Sequence, residues 1–102
     1  MVYHGKMDMQ KTWKFSEPKN VAVITTKKIL IRESDIVFVS HDADDGMWQF
    51  LDSFENDETS AAIIGLGELV NIDSSVTKIA DLPLGWIATR ENKNADWIRY
   101  TQ

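Results

Sequence analysis

The chain has 102 residues, 43% apolar and 26% charged, with a net charge of −5. That is enough for one domain with a real core, too little for two, and not the composition of a disordered chain. There is no cysteine, which excludes a disulfide, a thiolate nucleophile and a cysteine-held zinc, and no apolar stretch nears the ~18 residues of a membrane span.

Residues 1–12 are polar and unpatterned and read as a loose arm, leaving 13–102 as a single α+β domain. Trp13 and Phe15 alternate with Lys14 and Ser16, a short strand-like pattern. Glu17-Pro18-Lys19-Asn20 signals a turn. Val21 to Thr26 is β-branched and flanked by polar residues, which predicts a buried strand. Lys27 to Ile31 fits either a helical turn or an extended piece. A second strand follows at Ile36 to Ser40. Asp42 to Gly46 forms a loop, and Met47 to Leu51 resumes extended structure, so the two runs predict a hairpin. Trp48 and Phe50 share one face of it.

Asp52 to Ser60 is acidic and polar, a surface loop. Ala61 to Ile64 reads as a strand, because Gly65 and Gly67 disfavour a long helix. A short helical turn then covers Leu66 to Asn71. Asp73 is an N-cap candidate for a helix over Ser74 to Ala80, with Val76, Ile79 and Ala80 on one side. Pro83 stops it. Gly85 to Arg90 is the last main strand, and Trp97 to Tyr100 a short, partly apolar end. The sum is about five strands in an antiparallel sheet with two short helices.

Charge is unevenly spread. Residues 1–32 hold seven Lys/Arg and two acids, whereas 33–77 hold eleven acids and no Lys or Arg. A solvated acidic face partly neutralised by the basic N-terminal third is one reading. The other is an electronegative surface that steers a basic protein. A nucleic-acid binder would show the opposite sign, so neither direct nucleic-acid binding nor membrane insertion is expected. Without a secretory signal at the N-terminus, the expected location is the cytoplasm.

His41-Asp42-Ala43-Asp44-Asp45-Gly46 is the densest group of potential ligands. It fails the EF-hand pattern: from Asp42, loop position 5 is Gly46 and position 12 is Ser53. Asp and Gly are also what turns are made of. No metal or cofactor is therefore expected. Glu68, among Leu66, Leu69 and Val70, is the best-placed single carboxylate for acid–base work, though a short helix would expose it. There is no nucleophile elbow and no Walker loop. Gly65-Leu66-Gly67 reads as backbone packing at a helix start. The four Trp are core material, with Trp48 as the exception to test, because it adjoins the acidic loop and Trp anchors interfaces.

Three segments add a resemblance: Asp45-Gly46-Met47-Trp48-Gln49-Phe50, Leu66-Gly67-Glu68-Leu69-Val70-Asn71-Ile72-Asp73, and Ala80-Asp81-Leu82-Pro83-Leu84-Gly85-Trp86. In this order they resemble a small bacterial family of unknown function grouped with immunity proteins of toxin systems. The resemblance spans roughly residues 20–97. Ser74 stands where such sequences more usually carry proline. It implies a small binding protein and brings no catalytic residues with it. The combined expectation is a non-enzymatic, immunity-type module that occludes a basic toxin or other basic partner. Asp42, Asp44, Asp45, Glu55, Asp57 and Glu58 would supply the charge, and Trp48 or Phe54 the anchor. The rival expectation is a small metal-dependent or hydrolytic enzyme using His41 and nearby carboxylates.

Overall fold

Val23 and Thr25 alternate with Ile24 in a run that a sheet can bury on one side, and the chain forms β1 there, at Ala22–Thr26. The structure is a computed structural model and describes residues 13–54 and 58–102; the proposed arm at 1–12 lies outside them. Thr26 ends the strand and starts α1, Lys27–Leu30, its hydroxyl accepting from the Ile29 N–H at 3.3 Å. The helix closes through Arg32 N–H to Ile29 C=O and Glu33 N–H to Lys28 C=O. Arg32 thereby sits at φ 62°, the left-handed cap position that glycine usually fills.

β2 is Phe38–His41 and β3 is Trp48–Leu51, an antiparallel hairpin as expected, in which His41 pairs with Trp48. A 3-10 turn at Glu58–Ser60 leads into β4, Ala61–Gly65. Next comes α2, Leu66–Ile72. Asp73 does cap the next segment, accepting from Ser75 N–H at 3.0 Å, but Ser74–Ile79 winds as a 3-10 helix rather than an α-helix. β5 is Trp86–Thr89 and β6 is Ile98–Thr101.

The α+β class holds, but the detail differs from the expected five antiparallel strands. The sheet has six strands in the order β4-β1-β3-β2-β5-β6, and it is mixed, since β1 runs parallel to β3 while the other pairs are antiparallel. The Thr25 hydroxyl reinforces that parallel seam by donating to Phe50 C=O at 2.8 Å. The additional strand is β6, at the edge. Residues 13–15 are not a strand; Phe15 instead inserts into the core.

Paired residues share a face, so the register sorts every strand position. On one side lie Val23, Val39, Trp48, Phe50 and Ala88, covered by Leu66 and Leu69 of α2, by Val76 and Ile79 of the 3-10 helix, and by Phe15, Ile29 and Leu82. Each such large side chain contributes about 1.5–3 kcal/mol by leaving water. On the other side Ile63, Ile24, Gln49, Ser40, Ile87 and Tyr100 form one unbroken row across all six strands. A second row runs through Leu51, Phe38, Thr89 and Ile98. The helices and the main core sit on the first side; on the second, Leu51, Ser40 and Thr89 are buried between larger neighbours while Ile63 and Ile98 stay exposed.

Candidate functional site

The β2–β3 hairpin and the turn before β1 position a polar group against the core. Cross-strand pairing lays the His41 imidazole on the Trp48 indole, with ring centroids 4.0 Å apart and planes 15° from parallel. Phe50 stacks beyond Trp48, and Phe15 meets Trp48 edge-on. His41 Nδ1 lies 2.7 Å from Leu82 C=O. A carbonyl only accepts, so Nδ1 carries the proton. Nε2 faces the Glu17 carboxylate at 3.6 Å, an ion pair whenever the ring is protonated. Glu17 Oε1 and Trp48 Nε1 are buried without a hydrogen-bond partner.

This geometry changes the expectation for Trp48. Trp48 is 1% exposed and faces the helices, so it is a core residue and not a surface anchor. Its partner His41 turns inward, while Asp42 and Asp44 do not follow it. Asp42 Oδ1 accepts from Asp44 N–H at 2.7 Å, and Asp45 Oδ1 from Met47 N–H at 2.9 Å. These carboxylates shape their own turn, which Gly46 closes at φ 74°. The carboxylate beside His41 is that of Glu17. Among the described residues no group of three or more His, Asp or Glu could hold a metal ion.

The hairpin-tip aspartates and Phe54 are also not one patch. Asp42, Asp44 and Asp45 stand at the tip of the hairpin, whereas Phe54 follows the far end of β3, about 13 Å of strand away. There Phe54 is 64% exposed, its ring edge-on to Phe38 at 5.3 Å. Glu55 and Asp57 lie outside the described residues, and Glu58 falls in the 3-10 turn before β4. Two features therefore remain available to a partner: an exposed acidic tip and an exposed Phe54.

Glu68 is exposed on the first turn of α2, beside a groove of about 470 Å³ lined also by Trp13, Lys19, Asn20 and Thr77. Gly67 packs the helix start onto residue 19: its N–H donates to Lys19 C=O at 2.8 Å, and a Cβ there would sit 3.0 Å from Lys19 Cβ. The Gly-Leu-Gly segment is thus a packing device, as expected. A second groove, about 320 Å³, runs past Arg32, Asp35, Asp73 and Lys93. Neither groove touches His41 or the hairpin tip.

No family model, curated protein or solved structure matches the chain. What the chain does must accordingly be argued from its own surface.

The strongest buried polar contact has no counterpart among the sequence expectations. Arg90, its side chain 1% exposed, donates from Nη2 to Asp73 Oδ2 at 2.8 Å, from Nε to Ile36 C=O at 2.8 Å and from Nη1 to the Ser75 hydroxyl at 2.8 Å. Its guanidinium lies 4.1 Å from the Trp97 ring. This lattice ties the end of β5 to the start of the 3-10 helix. Sequence marks Asp73 as a cap but carries no local sign of Arg90, which lies 17 residues on, or of Glu17 behind His41.

Proposed function

We propose that this protein is a non-enzymatic binding module that captures a basic protein surface, in the manner of a bacterial immunity protein occluding a toxin in the cytoplasm. The observation that carries this reading is the state of the acidic run. Among the described residues, Asp73 is the only carboxylate of residues 33–77 in an ion pair. Asp44 and Asp45 stand exposed at the hairpin tip, outside any of those pairs. Among the described residues no cation pairs with these two charges, so their field reaches a partner and speeds its encounter. The tip is also short and braced. The Asp42 and Asp45 carboxylates accept from their own turn, and Gly85 N–H clamps its base by donating to His41 C=O at 2.7 Å. A partner thus meets a pre-formed surface. The resemblance of segments 45–50, 66–73 and 80–86 to a family of unknown function grouped with immunity proteins points the same way.

The test is retention from a lysate of the source organism by the wild type and by the triple variant Asp42→Asn, Asp44→Asn, Asp45→Asn. A basic protein held by the wild type at low salt, released at moderate salt and not held by the variant supports the reading. Equal retention by both chains refutes it.

A further inference from the structure

We infer that the open face of the sheet is an interface with a second copy of this chain, and that two copies pack face to face as a two-sheet sandwich. The inference is independent of the acidic tip and starts from what the face lacks. No strand position on it is charged: the rows carry Ile, Phe, Leu, Ala, Ser, Thr, Gln and Tyr. The charged strand residue Arg99 points to the helix side, where it donates to Lys78 C=O and Asp81. His41 also points to that side. An open sheet face normally alternates polar residues outward. Here Ile24, Ile63, Ile87 and Ile98 take those outward places, with Ile63 69% and Ile98 64% exposed at the two rims.

Charge selects the occupant. The chain carries −5 overall, so two copies repel on net. A homodimer must also set one patch against itself. The acidic tip cannot do that, because it would face its own sign. The uncharged face can, and no like charges oppose across it. A basic partner, conversely, gains nothing from a face that offers it no carboxylate.

Size is consistent with this. Six strands at about 4.8 Å spacing and four to five residues at about 3.3 Å give a flat footprint of about 430 Å². Leu51, Ser40 and Thr89 are already buried within the single chain, so the contact falls on Ile24, Ile63, Ile87, Ile98, Tyr100 and the Phe38–Phe54 pair, at the small end of specific interfaces. Apolar patches of this extent mark interaction surfaces on soluble proteins. Aligned sheets pack about 10 Å apart at about −30°, so the isoleucine rows of the two copies would interdigitate.

Sedimentation of the full chain over a wide concentration range, up to about 100 μM, tests this. The wild type is expected at twice its 11.7 kDa mass. Ile87→Glu, at the centre of the face, should give the single-chain mass. The double variant Ile63→Glu, Ile98→Glu should do the same with an unchanged circular dichroism spectrum, since both side chains are already mostly in solvent. It decides the matter if Ile87→Glu does not fold. Wild type at single-chain mass throughout the range overturns the inference. So does a dimer that persists in the folded double variant, which would place self-association elsewhere, for instance along the β6 edge.

Discussion

Arg90 and Asp73 form an ion pair at 2.8 Å whose arginine side chain is 1% exposed. Its remaining donors go to Ile36 C=O, the Ser75 hydroxyl and Lys93 C=O. The guanidinium is thereby satisfied on several sides, and Asp73 holds the 3-10 helix start as well. Removing the arginine leaves the partly buried Asp73 carboxylate without its partner. Arg90→Ala is expected to lose about 3–5 kcal/mol in urea unfolding. Arg90→Met, which fills the volume without a charge, should lose less than Arg90→Ala, although Asp73 is left unpaired in both. A loss from Arg90→Ala no larger than that of an ordinary surface substitution would show that the lattice is not a stability element.

Trp48 and Phe54 make an instructive contrast, because both are large aromatics beside acidic residues. Trp48 is packed between His41 and Phe50, so Trp48→Ala removes a buried ring and is expected to cost about 3–5 kcal/mol. Phe54 is exposed, and Phe54→Ala is expected to change stability by less than about 1 kcal/mol. Paired thermal melts check both. A near-neutral Trp48→Ala would contradict its place in the core.

Local chemistry made much of the fold legible. The β-branched runs at 21–26 and 36–40, the Asp/Gly loop before Trp48 and the cap at Asp73 each announce themselves within a few residues. Long-range relations do not. Nothing in Ala22–Thr26 says that its neighbour is β3, running parallel, because that pairing is decided by the whole sheet. β6 has no buried side, so Ile98 to Thr101 shows no core-forming pattern. Alternation correctly put Trp48 with Phe50, but which side the helices would cover depends on α2 and the 3-10 helix, far along the chain. The candidate site divided for the same reason. Asp45 and Phe54 are near in sequence, yet β3 carries them to opposite ends.

Arg32 offers a test of backbone strain. Its φ of 62° places a β-carbon where left-handed backbone is unfavourable by about 1–2 kcal/mol. Glycine relieves that strain but adds freedom to the unfolded chain, a cost of about 0.5–1 kcal/mol. The balance predicts that Arg32→Gly stabilises by up to about 1 kcal/mol, seen as a higher urea midpoint at unchanged slope. Arg32→Val, β-branched at the same position, should destabilise. If glycine lowers the midpoint, the Arg32 side chain makes a contribution larger than the strain.

The last prediction concerns acid. Asp81 accepts from Arg99 at 2.6 Å, and that hydrogen bond holds its carboxyl below the ordinary 3.8. The folded protein therefore keeps this carboxylate ionised to a lower pH than the unfolded chain does. Its contribution is fully present above the unfolded value and fades as pH falls through the lower folded value. Asp81 is 80% exposed, so solvent and salt screen the pair and the effect is small. Asp81→Asn should accordingly be slightly less stable than wild type at neutral pH. The gap should close below about pH 3.8 and shrink with added salt at neutral pH. Urea unfolding at several pH values reads this directly. A gap that stays constant from neutral pH into acid would assign the contribution to the geometry of the contact and not to its charge.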